Sequence, residues 1–187
     1  SYKEKNIEFL INKTVTKILP KENTVITSTG ENFSYKKLLI TTGGDSKKLN
    51  KYKNEHYMQT IDDADGIIKD LNGAKKGVVI GSGFISLEFL EIFLKNNLPT
   101  TLCVSAKGFW GSILDKRISE IIENCLRKNG VTINTGTTPD FVEQENVFLG
   151  VGIGIDPNKN FFLDCGLSFE NGLIADSTLK TNFENIY

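Results

Sequence analysis

The sequence predicts an α/β fold built on a parallel β-sheet, and three observations carry that prediction. Val78-Val79-Ile80 is a short apolar, β-branched run with glycines close on either side, the pattern of a strand buried on both faces. Gly81-Ser82-Gly83 follows at once, and residues 84–94 continue as an almost wholly apolar helix. The middle of the chain then alternates strand and helix, with Thr100–Val104, a helix after Asp115 and a strand over 131–134, so that it spells β–α–β–α–β.

Taken in order, the first part of the chain reads as β-rich. Residues 7–11 and 14–18 are predicted strands, the second by its alternation. A turn at 20–23, a strand at Thr24–Thr27 and a turn at 28–31 make a meander of hairpins. Residues 37–42 read as a buried strand ending at Gly43-Gly44, and the polar stretch 45–55 as an interdomain crossing. Thr60 is a candidate N-cap, with Asp62 and Asp63 placed to favour the positive helix end; that helix stops at Asn72-Gly73.

Gly81-x-Gly83-x-x-Ser86 is the central motif. A strand, a glycine turn and a helix form the phosphate-binding corner of a dinucleotide fold. The first glycine makes the turn, the second lets backbone approach a pyrophosphate, and the helix N-terminus offers N–H groups to the anion. Ser86 stands where a third glycine is usual and is small enough for close helix–strand packing. A tight turn without a ligand is the competing reading of the motif alone. The second strand, Thr100–Val104, leads into a loop over 105–112 that carries the only tryptophan, Trp110. Asp115 can cap the next helix, whose Ile118, Ile121, Ile122, Cys125 and Leu126 are expected on one buried face. Asn129-Gly130 ends it. The apolar, glycine-rich stretch 147–155 breaks at Asp156-Pro157-Asn158, and the tail holds a turn or short helix near 161–165 and a strand at 173–175.

Composition bounds the function. The 187 residues carry a net charge of -1 and a pI near 5.9, which gives no electrostatic reason to expect nucleic acid or an anionic membrane as a partner. No apolar run approaches the roughly 20 residues of a membrane helix, and residues 1–5 do not read as a signal or transit peptide. Cys103, Cys125 and Cys165 are far apart, which predicts reduced, buried thiols in a reducing compartment, cytoplasm or organelle, and no metal site. His56, the lone histidine, sits among Lys51, Lys53 and Glu55 and reads as a surface residue without a role.

Four segments then occur together in one order. Residues 35–43, Tyr-Lys-Lys-Leu-Leu-Ile-Thr-Thr-Gly, resemble the "Y-D-K-L-L-I-A-T-G" strand of FAD-dependent pyridine nucleotide-disulfide oxidoreductases. Residues 81–88 resemble their NAD(P)H-binding turn, including its glutamate. Residues 151–158 resemble the "V-G-x-G-x-x-P-N" exit from the NAD(P)H domain, and 179–187 the "L-x-T-x-x-x-x-I-Y" run near the family's end. The resemblance covers essentially the whole chain and is closest to the ferredoxin/rubredoxin reductase and apoptosis-inducing-factor-like branch.

It implies a Rossmann-like NAD(P)H-binding domain over 59–150, inserted into part of an FAD domain at 1–58 and 151–187. It implies hydride transfer from NAD(P)H to FAD, with electrons passing to a small electron-transfer protein or another acceptor, and it allows a homodimer. A disulfide reductase of the glutathione or thioredoxin type, and a non-catalytic nucleotide-binding module, are the alternatives. Three departures stand out. The N-terminal FAD glycine motif and the terminal flavin-binding aspartate are absent, and only residues 137–146 separate the third strand from the exit strand, where the family places a further strand or hairpin. The chain therefore reads as a fragment that should bind flavin poorly.

Carried over residue by residue, the resemblance assigns Gly81, Ser82, Gly83, Phe84 and Ile85 to the dinucleotide, and Glu88 to the nicotinamide end. An acid in so apolar a helix is expected to be buried and to need a donor. Ser105 occupies the ribose-reading position about 20 residues beyond the first glycine. It is no carboxylate, and Lys107 follows, which tilts the expectation slightly towards NADPH. Gly152 and Ile153 match the strand approaching the nicotinamide. Val15, Thr42 and Gly43 match positions that contact FAD, and no catalytic acid, base or nucleophile is evident.

Overall fold

The computed structural model describes residues 3–105, 108–111, 113–137 and 140–187. In chain order its first elements are β1 (Val15–Leu19), β2 (Thr24–Thr27), β3 (Asn32–Ser34), β4 (Asp45–Ser46), β5 (Glu55–His56), α1 (Ile61–Leu71), β6 (Lys76–Gly81) and α2 (Phe84–Lys95). There follow β7 (Thr100–Val104), α3 (Lys116–Lys128), β8 (Val131–Thr135), β9 (Val147–Gly152), β10 (Ile155–Asp156) and α4 (Lys159–Asp164). Two compact units result, Ser1–Gly44 with Pro157–Tyr187, and Asp45–Asp156. The boundaries expected from the sequence are 58/59 and 150/151. Strand pairing accounts for the difference, because β5 pairs with β9 and β4 with β10.

In the first unit, β1, β2 and β3 form an antiparallel meander with Ile18 opposite Val25 and Thr24 opposite Ser34. The β1–β2 turn closes through Asn23 in the left-handed region, φ 51°, a conformation asparagine tolerates. Ile18 packs with Phe162 of α4, Leu167 and Ile186 in one small core. Two strand expectations fail here. Residues 7–11 form no strand, and Ile7, Leu10 and Ile11 lie exposed. Residues 37–42 form no regular strand: they pair in parallel with residues 185–187 through the Leu38–Ile186 bridge and three backbone hydrogen bonds, of Leu38 N–H to Asn185, Ile40 N–H to Tyr187 and Tyr187 N–H to Leu38, and Leu39 is exposed. An apolar run marks strand-forming potential, but a strand exists only through a ladder, which sequence periodicity does not supply.

In the second unit a parallel sheet runs β5-β9-β6-β7-β8. Alternation along the strands divides the core in two. Val79, Leu102, Val104 and Phe148 face α1, α2 and α3 through Ile67, Phe89, Leu90, Phe93 and Leu126. Two glycines make that packing possible: a Cβ on Gly77 would stand 2.3 Å from the Phe93 ring, and one on Gly150 2.5 Å from Phe89. Val78, Cys103, Leu149 and Val151 face the other way, against Leu49, Tyr52, Tyr57, Phe141 and Val142. Among the described residues no α-helix joins this second cluster. The β8–β9 connection is too short for one and turns through a single 3-10 helix, Asp140–Glu143.

The capping expectation for α1 holds in full: Thr60 Oγ1 accepts from the Asp63 N–H at 3.1 Å, and the Asp63 carboxylate accepts from Thr60 N–H at 2.8 Å. For α3 the cap holds, since Asp115 accepts from Ile118 N–H at 3.0 Å, but the buried face does not. Ser119, Ile122 and Leu126 turn inward, and Ile118, Ile121 and Cys125 are exposed. Ser119 is small enough to lie against Gly108 of the preceding loop, so packing room overrode side-chain polarity. Cys103 is buried and Cys165 half-buried, so of the three free thiols only Cys125 departs fully from the buried setting expected of it. His56 also differs from expectation. Its ring stacks on Phe148 at 3.9 Å and its Nε2 lies 3.0 Å from Asp70 of α1, so it helps seat the edge strand β5.

Candidate nucleotide site

At the carboxyl ends of β6, β7, β8 and β9 the second unit opens into a cavity of about 530 Å³. Its floor is the glycine turn. Gly81 has φ +127°, and a Cβ there would stand 2.2 Å from the Gly152 carbonyl oxygen, so both conformation and packing require glycine. Ser86 is fully buried and its hydroxyl donates to the same oxygen at 3.3 Å, which ties α2 to the end of β9. Gly152 completes the knot, since a Cβ on it would meet Ser86 Oγ at 2.7 Å and Ser86 N at 2.9 Å.

Gly83 is different. Its φ of -106° and ψ of -170° suit any residue, and a Cβ would meet only the Gly152 oxygen, at 4.0 Å. Among the described residues nothing requires glycine there. It is the N-cap of α2, which begins without a side-chain cap and without an acidic residue in its first turn. A helix N-terminus so arranged presents backbone N–H groups to the cavity with the favourable end of the helix dipole.

The other walls come from β7, β8 and their loops. Ser105, Trp110, Ile113, Gly136 and Thr137 line one end, and Gly152, Ile153 and Gly154 the other. The loop after β7 is held by Glu123 of α3, whose Oε1 accepts from Phe109 N–H at 3.0 Å and whose other oxygen pairs with Arg127 at 3.1 Å. Trp110 N–H donates to the Ser82 carbonyl at 3.2 Å, joining that loop to the glycine turn.

Of the residues expected at the nucleotide, Gly81, Ser82, Gly83, Ser105, Gly152 and Ile153 line this cavity. Phe84, Ile85 and Glu88 lie outside its lining and are exposed. Glu88 therefore faces solvent in this chain and needs no buried donor. The helix is apolar on more than one side, and the expectation took overall hydrophobicity for burial all round. Lys107 lies outside the described residues. In the first unit a separate cavity of about 550 Å³ is lined by Val15, Thr42, Thr14, Leu39, Thr41 and other residues. Gly43 adjoins it in sequence with φ +62° and open space around its Cβ position.

Compared with known proteins, residues 1–187 match the pyridine nucleotide-disulphide oxidoreductase family. The chain belongs to that family. Among its relatives, putidaredoxin reductase of Pseudomonas putida is 29% identical over 97% of this chain and 49% of that protein. The peroxisomal monodehydroascorbate reductase 2 of Oryza sativa subsp. japonica is 26% identical over 100% of this chain and 44% of that protein. A crystal structure of the covalent putidaredoxin reductase–putidaredoxin complex superposes with a TM-score of 0.85 at 28% identity, covering 99% of this chain and 50% of that one. The chain thus spans about half the length of the curated relatives it matches.

Within this pyridine nucleotide-disulphide oxidoreductase chain, sequence reasoning missed Gly136, Thr137 and Ile113 as lining residues. The signal was present for two of them, because residues just beyond a parallel strand lie at the same sheet edge as the glycine turn. No helix among the described residues is long and apolar enough to cross a membrane.

Proposed function

We propose that residues 45–156 are the NAD(P)H-binding domain of a flavin-dependent oxidoreductase, and that residues 1–44 with 157–187 contribute the later strands of its FAD domain. The bound cofactors supply the redox chemistry, in which hydride passes from reduced nicotinamide to flavin and electrons leave to a small redox protein or another acceptor. The chain's own residues bind and orient. Gly81, Ser82 and Gly83 hold the pyrophosphate, Ser105 lies at the ribose, and Gly152 and Ile153 flank the nicotinamide end. Val15, Thr42 and Gly43 would give the flavin a wall and backbone contacts; the glycine motif for its pyrophosphate is not in this sequence.

One observation carries the reading. Gly83 is glycine where neither backbone conformation nor neighbouring protein atoms demand it, while Gly81 and Gly152 are glycine because they must be. N-cap preference favours glycine there no more than Ser, Thr, Asp or Asn, and close approach of a ligand to backbone is the physical reason that singles glycine out. The cavity size falls within the roughly 300–1,000 Å³ of small-molecule sites. Ser86 is accommodated with a hydrogen bond, so its replacement of the third glycine lends no support to a degenerate site.

Calorimetric titration of the chain with NADH and NADPH tests the binding half; saturable heat with at least one is expected, and none with either overturns it. Adding reduced nucleotide to the full-length, flavin-loaded protein tests the enzyme half. Loss of the visible flavin absorbance is expected, and persistence of that absorbance with both nucleotides overturns it.

A further inference from the structure

The loop between β7 and α3 holds two adjacent aromatic residues that behave differently. Phe109 is the anchor: its side chain has no exposed surface and its N–H is fixed by Glu123. Trp110 is only half-buried and lines the cavity. It sits at φ +55°, where a bulky side chain is strained, and its N–H is tied to the Ser82 carbonyl of the glycine turn. Its ring contacts Phe84 at 4.9 Å and Phe109 at 5.3 Å, so the indole is braced on two sides. The loop thus holds a strained, flat, apolar surface at the cavity wall although Phe109 already anchors it.

We infer that Trp110 is a binding residue for the adenine of the dinucleotide, with the base stacked on the indole face. The inference rests on the reading of this cavity as a dinucleotide site. With the pyrophosphate at Gly83, the adenosine half extends towards the end of the second strand, where Ser105 stands. Every described residue lining the cavity is uncharged. Indole is the side chain best suited to the π-face of a purine.

Trp110 is the only tryptophan in the chain, so its emission reports the site directly. ADP-ribose, which carries adenine but no nicotinamide, is expected to quench that emission saturably, and nicotinamide mononucleotide to leave it unchanged. W110A should raise the Kd for ADP-ribose and for NADH by at least about fivefold, the lower end of base–aromatic stacking, and W110F by less than about threefold. Saturable NADH binding with no response of the emission to ADP-ribose, or with W110A binding as the wild type does, overturns the inference and leaves the dinucleotide reading intact. Absence of NADH and NADPH binding overturns both. The fluorescence arm uses the unaltered chain and stands even if W110A fails to fold.

Discussion

Replacing Gly83 by alanine separates a ligand-binding turn from a packing turn. The added methyl would meet one protein atom, the Gly152 oxygen at 4.0 Å, and the backbone dihedrals suit alanine. Losing glycine at an N-cap costs about 0.5–1 kcal/mol, and restricting the unfolded chain returns about 0.4–1 kcal/mol. The net change in stability should stay within about 0.5 kcal/mol, a Tm shift of no more than about 2 °C for a chain of this size. Binding should respond quite differently. If the methyl pushes the pyrophosphate off one backbone N–H, a charge-assisted hydrogen bond worth about 1.5–3 kcal/mol is lost, which raises the NADH Kd roughly 10- to 150-fold. Gly81→Ala gives the converse. At φ +127°, with a Cβ 2.2 Å from backbone oxygen, it should lose at least about 2 kcal/mol, or 4–8 °C in Tm. Differential scanning calorimetry and nucleotide titration of the two variants read both effects. Unchanged NADH affinity in a folded Gly83→Ala chain, or a Tm loss there matching that of Gly81→Ala, refutes the reasoning.

Three further outcomes follow from the packing and the titrating groups. Burial raises the pKa of Glu55, but hydrogen bonds from the Tyr57 hydroxyl and from the N–H groups of Tyr52, Lys51 and Asn50 outweigh it and hold the carboxyl below its usual range. Its contribution is therefore present above pH 4.5 and lost as pH falls through the depressed value; Glu55→Gln should lower stability at pH 7 by about 1.5–3 kcal/mol and flatten the acid limb of thermal unfolding. Burial pushes the Cys103 thiol up from 9.0 to about 11, so an aromatic disulfide reagent at pH 8 should label exposed Cys125 in the native chain and reach Cys103 only after denaturation. The same shift makes stability fall as pH rises from 9 towards 11. Gly77→Ala should cost about 1–3 kcal/mol by driving a methyl into the Phe93 ring, with Phe93→Leu restoring part of it in chemical denaturation.

The parallel sheet and the glycine turn were legible because local signals and long-range structure agree there. Val78-Val79-Ile80 has one conformation that buries it, and Thr60, Asp63 and Asp115 cap helices through atoms only three residues away. Where the outcome depends on distant partners, local pattern misled. Residues 37–42 look like residues 100–104 in hydrophobicity, yet the latter lie between two strands and the former pair along one side with the short segment 185–187. On α3 the buried face takes in Ser119, close to Gly108 of the preceding loop, and leaves out Ile118 and Ile121, a choice made by tertiary neighbours rather than by side-chain polarity. Ser105 lines the cavity because it directly follows the second strand, whereas the exposure of Glu88 depends on tertiary neighbours that the apolar run of its helix does not reveal. Trp110 could be singled out by its rarity, but its position against Ser82 comes from a loop closure no spacing rule encodes.

The glycine turn and the end of β9 are mechanically one piece. Gly81 and Gly152 are register partners on β6 and β9, so the strands leave the sheet side by side. Ser86 reaches across to the Gly152 carbonyl, and the space any side chain would need at Gly81 or Gly152 is already taken by Gly152 itself or by Ser86. Neither strand end can shift without breaking a buried hydrogen bond or opening a void, and both are costly in a close-packed interior. The residues proposed for the pyrophosphate and those proposed for the nicotinamide must therefore move together. At the other end of the cavity the described residues Phe109 and Trp110 belong to no strand and are tied by the Glu123 carboxylate and by a backbone bond to Ser82. Adjustment to different nucleotides is expected at that end, and the distance from Gly83 to Gly152 should be the same with any dinucleotide bound.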